Sequence, residues 1–373
     1  MDFTLTLEQQ LLKDSTARLL TDAYDFEQRS AYALSETGWS RALWRQYAEL
    51  GLLGIGIPDT WGGTGGGPFE TFVVMQEMGR RMTLEPYVAT AVVARSLLLA
   101  AGTPEQQGRW LPRIADGSRV LSLAALERAS RFDLSAVETS ARPSGDGWIL
   151  EGRKAAVPCG DQADLLLVTA REDDETGISL FLVDPGSPGL VRHPVAQLDS
   201  RRAADIDLQA VRVPASERLG EPGQALGHLE AAWEEGVVAL LAESIGCMDE
   251  ILAATVEYLK VRRQFGRTLS SFQALQHRAV DMLMHIEQTR SLAILATAQL
   301  AQASRPARSR WIAGAMLQAC DACRFVGEQA VQLHGGIGIT MEHRVAHLFR
   351  RLVALQSAMG DRDHHLALFS RWS

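Results

Sequence analysis

The spacing of apolar residues predicts three stretches of different secondary structure along the chain. From residue 1 to about residue 118 apolar positions recur at helical intervals, for example over Glu70–Ala101. The first helix begins with capping-box spacing, because Thr6 is followed three residues later by Gln9. A glycine-rich run at 62–67 lacks the Lys-Ser/Thr pair of a phosphate-binding loop, and we interpret it as a flexible connector.

The middle of the chain has the pattern of a β-rich domain. Between residues 119 and 222 short alternating runs are separated by turn residues, and several of these runs suit strands. The clearest runs are GWILEG, DLLLVTA, ISLFLVD and LQAVRVP. This segment is therefore predicted to form a β-barrel-like domain.

After residue 223 the pattern is helical again and its segments are long. Four amphipathic helices are predicted near residues 228–263, 272–304, 307–334 and 342–370. Long helices with short joints are typical of a four-helix bundle. The expected fold class is α+β, with an N-terminal helical domain over 1–118, a middle β domain over 119–222 and a C-terminal helical bundle over 223–373.

Composition and charge exclude some classes of protein. The chain has 373 residues, 46% of them apolar, and a formal net charge of −8. Nucleic-acid-binding proteins normally carry a basic face, so this balance argues against nucleic acid as a partner. No apolar run approaches the ~18 residues that a membrane helix needs, and MDFTLTLEQQ does not have the pattern of a signal peptide. We expect a soluble, cytoplasmic protein with no membrane partner.

The cysteines do not predict a metal site. The chain has four of them, and two form a CxxC at Cys320 and Cys323. No second pair lies at the spacing of a zinc site, and the surrounding segment has a helical pattern. Ordinary packing is the preferred interpretation.

Two motifs in the C-terminal region carry the main functional signal. The first is YLKVRRQFGRTLSSFQ over 258–273, and the second is QLHGGIG over 332–338. They are similar to the patterns YxxxRxxFGxxLxxFQ and Q-hydrophobic-x-GGxG of the acyl-CoA dehydrogenases. The segment YAELGLLGIGIPDTWGG at 47–63 resembles the N-terminal signature of the same family. The order of helical, β-rich and helical segments agrees with that family across nearly the whole chain.

The resemblance implies FAD as the cofactor. In the family the arginine at the position of Arg262 reaches across a dimer interface to the partner's FAD, and a guanidinium suits a pyrophosphate. Glycines allow a backbone to approach a ligand with no Cβ in the way. The resemblance assigns to the cofactor Arg262, Gln264, Phe265, Leu269, Phe272, Gln332, Gly335 and Gly336. The family varies at His334, which we interpret as a packing or surface residue.

The residues that would carry out the family's reaction are missing. That reaction needs a carboxylate to remove the α proton of an acyl-CoA thioester. The position of the family's usual glutamate holds Met359, and the position used by a minority of members holds Gly236. Glu235 is adjacent, but one helix position rotates a side chain by about 100°. Glu243 lies two turns further on and is the remaining candidate, so no catalytic residue is assigned.

The middle-domain motifs also depart from the family. The motif T-E-P-x-A-G-S-D aligns with 126–133, where only Glu127 and Asp133 agree well. The motif W-[IV]-T-N aligns with 156–159, so the tryptophan and threonine that cover the flavin ring and bond its N5 are absent. Pro158 has no N–H to offer. The motifs that serve a neighbour's FAD are thus retained, and those that hold a flavin ring in the chain's own site are altered.

Three hypotheses remain open. The chain is an accessory, FAD-sharing subunit of a heterotetramer, a homotetrameric flavoenzyme with an unusual base such as Glu243, or a non-catalytic structural or regulatory protein on the same scaffold. Its C-terminal end, ITMEHRVAHLFRRLVALQSAMGDRDHH, and FEQR near the start are most similar to the small subunits of heteromeric bacterial enzymes such as pimeloyl-CoA dehydrogenase. The resemblance implies an acyl-CoA substrate, an electron-transferring flavoprotein as acceptor, and a role in fatty acid β-oxidation or other lipid degradation.

Overall fold

The computed structural model describes residues 4–172, 177–302 and 304–371. The helices are α1 (Leu7–Ala23), α2 (Phe26–Leu34), α3 (Arg41–Glu49), α4 (Pro68–Arg81), α5 (Arg95–Ala101), α6 (Pro104–Ala115), α7 (Ala225–Val261), α8 (Gln273–Gln302), α9 (Arg305–His334), α10 (Arg344–Leu355) and α11 (Arg362–Arg371). The strands are β1 (Leu121–Ala124), β2 (Ser140–Ser144), β3 (Gly147–Pro158), β4 (Leu165–Glu172), β5 (Ser179–Val183), β6 (Leu190–Ala196), β7 (Arg202–Pro214), β8 (Arg218–Leu219), β9 (Arg263–Gln264) and β10 (Arg267–Thr268). The predicted order of helical, β-rich and helical segments is confirmed.

Contacts between residues divide the chain into two compact units that interleave along the sequence. The helical unit comprises Met1–Ala31, Pro68–Thr83 and Val237–Ser373. The sheet unit comprises Tyr32–Gly67 and Leu84–Gly236. The division therefore falls inside α7, and the domain boundaries near residues 118 and 222 stay a prediction.

Within the helical unit, α9 packs against α8, α10 and α11, and α1 packs against α4. The helix α4 also crosses α7 at close range. A Cβ added to Gly246 of α7 would lie 1.9 Å from the carbonyl oxygen of Gln76 in α4. Only glycine permits that separation between two backbones, so this residue fixes where the two helices cross.

The helix starts and stops follow local sequence signals. The capping box of α1 is confirmed, because the Gln9 N–H donates to Thr6 Oγ1 and the Thr6 N–H donates to Gln9 Oε1. The first three predicted bundle helices are confirmed as α7, α8 and α9. No helix in the described part of the chain is both long and apolar enough to cross a membrane.

The prediction of a single fourth bundle helix near residues 342–370 was wrong. It is split into α10 and α11, with a connection over 356–361. Gly360 has a φ of +125°, which ends any continuing helix. Asp361 then begins the next helix, because its Oδ1 accepts a hydrogen bond from the His364 N–H at 2.8 Å.

The sheet unit is built around one mixed sheet. Its strand order is β6-β7-β3-β2-β4-β5-β8, and β1 pairs with β4 in parallel. The four predicted strand runs are confirmed within β3, β4, β5 and β7. Apolar side chains that alternate along these strands, such as Leu150, Phe181 and Ile206, form the buried core.

The glycine-rich run at 62–67 is not the flexible connector that we expected. The Gly56 N–H donates to the Gly65 carbonyl at 2.6 Å, and the Gly65 N–H donates to the Ile57 carbonyl at 3.0 Å. A Cβ added to Gly63 would lie 2.0 Å from the Ile57 carbonyl oxygen. The glycines are therefore needed for a packed, hydrogen-bonded turn.

A charged network lies inside the sheet unit. Lys154 is fully buried, and its Nζ donates to Glu127 Oε1 at 2.7 Å and to Thr169 Oγ1 at 2.9 Å. Glu127 also accepts a hydrogen bond from Thr139 Oγ1 at 2.7 Å. Burial lowers the pKa of Lys154 to about 8, and the charge of Glu127 opposes that shift. The pair is retained in the core because each charge has a close, hydrogen-bonded partner.

We predict that Lys154→Met destabilises the protein by about 3 kcal/mol, because it leaves the Glu127 carboxylate buried without its cation. The matched control is Arg142→Met, which breaks the Arg142–Glu151 pair, whose side chains are both more than half exposed. That change should cost less than about 1 kcal/mol. Urea unfolding followed by circular dichroism measures both, and equal losses for the two variants would contradict the prediction.

Candidate cofactor-binding site

The first motif forms the end of α7 and a short hairpin. Strands β9 and β10 pair, and Phe265 and Gly266 at the turn both have positive φ, +54° and +80°. The Arg262 N–H donates to the Tyr258 carbonyl at 2.9 Å, and the Arg262 carbonyl accepts from the Leu269 N–H at 2.9 Å. The backbone of Arg262 is therefore held on both sides, while its side chain is exposed.

The side chains of this hairpin form an exposed surface with apolar and cationic groups. Phe265 is 89% exposed, and Arg262 and Gln264 are exposed beside it. The Arg267 guanidinium lies 4.0 Å from the centroid of the Phe272 ring, and the Phe272 ring lies 6.2 Å from that of Phe265. An exposed aromatic ring beside guanidinium groups is typical of a binding surface.

The local charge of the hairpin suits an anionic ligand. The segment KVRRQFGR over 260–267 contains one lysine and three arginines and no acidic residue, in a chain whose net charge is −8. Lys260 pairs with Glu257 at 2.8 Å. Guanidinium groups bind phosphate oxygens through two parallel N–H donors, so this segment fits the pyrophosphate of a dinucleotide.

The second motif forms the end of α9 and the turn that follows it. Gln332, Gly335 and Gly336 are all exposed, and Gly335 has a φ of +65°. A Cβ added to either glycine would meet nothing within 4 Å. The glycines therefore leave open space against an accessible backbone, which is the form that a dinucleotide-binding turn needs.

An aromatic stack brings the two motifs together. The rings of Tyr258 on α7 and His334 on α9 lie 4.5 Å apart between centroids, with 24° between their planes. Tyr258 is one helical turn before Arg262, and His334 directly precedes Gly335. The predicted cofactor residues therefore lie at two adjacent helix ends in the helical unit. Leu269 and Phe272, which complete the set, are half-buried at the base of the hairpin.

The positions at which the family carries its base hold no titratable carboxylate. Met359 is 8% exposed, and a thioether does not take up a proton near neutral pH. Gly236 has no side chain. The neighbouring Glu235 accepts hydrogen bonds from Arg95 and from Ser96 Oγ, the latter at 2.7 Å. The Glu235 carboxylate is therefore already engaged.

Glu243, the remaining candidate base, lies in a buried ion pair. It is fully buried, and its two oxygens accept hydrogen bonds from Arg351 Nε at 2.8 Å and Nη2 at 2.7 Å. A bidentate guanidinium favours the charged carboxylate, and protonation would leave the buried arginine unneutralised. The geometry makes Glu243 a structural partner of Arg351 and a poor base.

Sequence reasoning missed Arg351, although a signal was present. On α10 the apolar positions Val345, Leu348, Leu352 and Leu355 form one buried stripe, and Arg351 falls on the same side. An arginine within an apolar helix stripe requires a buried acidic partner. The sequence does not show which of the acidic residues supplies it.

The middle-domain segment that aligns with the family's flavin-covering motif has its backbone donors engaged internally. The Ala155 N–H donates to the Leu126 carbonyl at 2.8 Å, and the Ala156 N–H donates to Asp205 Oδ1 at 2.9 Å. The Cys159 N–H donates to the Arg202 carbonyl at 2.9 Å. Together with the missing N–H of Pro158, these bonds leave this segment poorly suited to bind a flavin ring.

Comparison with known proteins assigns the family. Family models for the N-terminal, middle and C-terminal domains of acyl-CoA dehydrogenases match residues 6–118, 122–211 and 229–373. The rat mitochondrial long-chain specific acyl-CoA dehydrogenase is 31% identical over 324 residues, which cover 82% of this chain and 73% of that protein. The chain therefore belongs to the acyl-CoA dehydrogenase family, whose members are oxidoreductases acting on a CH–CH bond of an acyl-CoA with FAD as cofactor.

Two solved structures are similar to this chain over nearly its whole length. In the ChsE4-ChsE5 complex from Mycobacterium tuberculosis the matching chain is 27% identical with a TM-score of 0.90, covering 100% of this chain and 98% of that one. In a variant of the Tcur3481-Tcur3483 steroid ACAD the values are 32% and 0.88, covering 98% and 97%. The helical, β-rich and helical organisation is thus the fold of this family.

A buried histidine, His365 on α11, makes the stability of the protein depend on pH. His365 is 2% exposed, and burial lowers its pKa to about 4, with a further contribution from His364. An unfolded chain would take up the proton near pH 6.5. The unfolded state therefore binds more protons than the folded state between pH 6.5 and about 4.

We predict that the free energy of unfolding falls as the pH is lowered from 6.5 towards 4, and that His365→Gln reduces the slope. A single histidine of this kind contributes a slope of at most about 1.4 kcal/mol per pH unit. Urea unfolding at several pH values measures the slope for both proteins. His277→Gln is the control, because His277 is exposed. A slope in His365→Gln as steep as in the unsubstituted protein would contradict the assignment.

Proposed function

We propose that the chain is an accessory subunit of a heteromeric acyl-CoA dehydrogenase. It contributes its hairpin and glycine turn to an FAD whose flavin ring is held by a different, catalytic subunit. In such a complex the partner subunit would supply the base for the α proton of the acyl-CoA, and a bound FAD would supply the hydride acceptor. The observation that carries the proposal is the contrast between an open cofactor-sharing surface and acidic side chains that are already committed to ion pairs.

The open surface supports the first half of the proposal. Arg262 and Phe265 are exposed, and the backbone at Gly335 and Gly336 has free space around it. These groups fit the pyrophosphate and adenosine half of FAD, with Gln332 as a polar contact. They require no catalytic residue in this chain.

The engaged groups support the second half. A general base must reach the substrate's α carbon with an unprotonated group that can accept a proton. Glu243 is bound by Arg351, Glu235 by Arg95 and Ser96, and the family position holds Met359. The segment at 155–159 uses its own N–H groups within the sheet unit. The chemistry is therefore assigned to the partner.

The nature of the partner follows from the exposed helix face and from the similar complexes. Val280, Leu283 and Met284 on α8 are 46–54% exposed and lie on one face of that helix. Apolar side chains in this arrangement are typical of a protein interface. The ChsE4-ChsE5 structure is a complex of two differently named proteins. We propose a homologous dehydrogenase subunit as the partner, in an assembly of the α₂β₂ type.

The wider setting is part of the same proposal. Acyl-CoA is the substrate of the complex, an electron-transferring flavoprotein is its electron acceptor, and lipid degradation in the cytoplasm is its context. The resemblance to enzymes that act on bulky or carboxylated acyl-CoAs and the similarity to a steroid ACAD support a bulky acyl group.

The first test is the flavin content of the chain purified alone and after co-expression with a candidate dehydrogenase subunit taken from a neighbouring gene. We expect little FAD in the chain alone and about one FAD per pair of subunits in the complex, because the complete site needs both. Flavin absorbance after denaturation, divided by protein concentration, gives the ratio. About one FAD per chain in the absence of a partner would contradict the proposal and favour the homomeric enzyme.

A pair of variants makes that test specific to the cofactor-sharing motif. Arg262→Ala should reduce FAD retention in the complex, because it removes the guanidinium that the motif assigns to the pyrophosphate. Arg324→Ala is the control, because Arg324 is a 73% exposed arginine on α9 whose ion pair is with the nearby Glu328. Full FAD retention in Arg262→Ala would count against the shared site. A complex that is colourless with every partner would favour the non-catalytic scaffold protein.

A second prediction separates the accessory subunit from a homomeric enzyme that uses Glu243. Glu243→Gln should destabilise the protein by about 3 kcal/mol, because it leaves Arg351 buried without its anion. Turnover per bound FAD in the complex should stay within about twofold, since Glu243 is not a catalytic group. Glu328→Gln is the control for loss of an exposed pair. A loss of several orders of magnitude in turnover would instead identify Glu243 as the base.

A further inference from the structure

The side chain of His334 is buried and hydrogen-bonded, although it lies between two motifs that are exposed. It is the last residue of α9 and is only 4% exposed, although Gln332 and Gly335 beside it are exposed. Its Nδ1 lies 2.9 Å from the carbonyl oxygen of Ala330. Because a carbonyl only accepts hydrogen bonds, Nδ1 carries the proton in the neutral ring.

The ring of His334 also bridges two helices. One face stacks on Tyr258 of α7, and the ring of His343 lies 5.2 Å away on another side. Tyr258 in turn accepts the Arg262 N–H on its carbonyl at 2.9 Å. A displacement of the His334 ring would therefore shift Tyr258, and with it the carbonyl that holds the backbone of Arg262.

The surroundings of His334 favour its neutral form. Burial lowers its pKa, the hydrogen bond to Ala330 opposes this, and His343 and Arg344 lower it further. The titratable and charged groups that face it are Tyr258 from α7 and, from the start of α10, His343 and Arg344, whose guanidinium pairs with Glu250 at 2.7 Å. None of the described groups that face the ring directly would neutralise an imidazolium.

We propose that His334 is a positioning residue for the shared FAD: its neutral ring, stacked on Tyr258, holds the end of α7 that carries Arg262 against the glycine turn that ends α9. This inference rests on the proposed function, because it assumes that both motifs bind the same cofactor. The residue acts through Arg262 and the turn, and its own contact with the cofactor is not required.

The geometry predicts different behaviour for two substitutions. His334→Asn keeps a donor near the position of Nδ1 but removes the ring, so FAD retention at pH 8 should fall by about tenfold, the effect of losing one stacked pair. His334→Phe keeps the stack and cannot be protonated. Its FAD retention at pH 8 should stay close to that of the unsubstituted complex.

The pH profile gives a readout that a merely structural role would not move. In the unsubstituted complex FAD retention should weaken as the pH falls below 6.5, because the pKa of His334 lies below its usual value and protonation then places a charge beside His343 and Arg344. His334→Phe should abolish most of this dependence. His343→Asn should keep this pH dependence. The asparagine can still cap α10, because its side chain can accept the Val345 N–H as His343 Nδ1 does.

The experiment measures FAD release from the co-purified complex by flavin fluorescence at pH 8, 7, 6 and 5.5, together with the melting temperature of each chain alone. His285→Phe is the matched control. His285 is a half-buried imidazole that lies outside both motifs, and its ring centroid is 4.4 Å from that of Phe325 on α9. Tenfold loss in His334→Asn with an unchanged melting temperature, and a flat profile in His334→Phe, would establish the inference.

Two outcomes would overturn the inference and one would remove its basis. It fails if both His334 variants release FAD like the unsubstituted complex at every pH, or if the pH dependence disappears in His343→Asn and persists in His334→Phe. Arg262→Ala distinguishes this failure from that of the proposed function. If Arg262→Ala loses FAD while the His334 variants do not, the shared site stands and only the role of His334 is wrong. If Arg262→Ala also retains FAD, the proposed function fails.

Discussion

A buried carboxylate can neutralise a cation or accept a proton from a substrate, but the first role makes it unsuited to the second. In the helical unit Glu243 has the first role, with both oxygens bound by the guanidinium of Arg351. Removing two charges from water is costly, and only a close, bidentate geometry offsets that cost. The pair therefore fixes α10 against α7, and the carboxylate is not available for general-base catalysis. Whether a carboxylate is held in such a pair therefore determines whether it is available as a base.

Backbone groups show the same division: some are hydrogen-bonded within the chain, and others have open space around them. In the sheet unit the N–H groups of Ala155, Ala156 and Cys159 are used by neighbouring acceptors. In the helical unit the backbone at Gly335 and Gly336 has open space beside it. Because buried polar groups are nearly always hydrogen-bonded, an internally satisfied segment has little to offer a ligand. The open glycine turn has accessible backbone, which is what the proposed cofactor-binding role requires of it.

Much of the fold could be predicted from the sequence, because local rules determine it. The capping box of Thr6 and Gln9 starts α1, and alternation along β3 places Leu150 in the core. The split between α10 and α11 was missed, because the helical spacing of apolar residues continues across Gly360. A single glycine inside such a pattern is often tolerated, and only its positive φ showed that the helix ends there.

The candidate site was predicted in part, for a different reason. Motif spacing predicted Arg262 and the glycine pair as candidate cofactor residues, because a cofactor is recognised by residue types that are rarely interchangeable. The ion pair of Glu243 with Arg351 joins residues distant in sequence, and no local pattern specifies such a pairing. The packing of His334 was anticipated as one of two interpretations, whereas its stack on Tyr258 depends on how the ends of α7 and α9 meet. Contacts between elements were thus the information that the sequence did not supply.

The two halves of a dinucleotide site make different physical demands, and this explains how one subunit can retain only one of them. Recognition of a pyrophosphate needs positive charge and an accessible backbone, which a hairpin and a glycine turn provide without a base. Hydrogen abstraction needs a carboxylate at a fixed place beside the flavin and substrate. Sites that share no partner groups change nearly independently in energy.

Loss of the base therefore leaves the pyrophosphate surface intact, provided that another subunit supplies the ring site. Under the proposed function, the ring of Phe265, which is 89% exposed in this chain, would gain burial in the complex. A cofactor that binds the assembled pair better than either chain stabilises the assembly by mass action. Cofactor retention and subunit association in such an enzyme are consequently one coupled equilibrium, and the surface carrying Arg262 and Phe265 contributes to both.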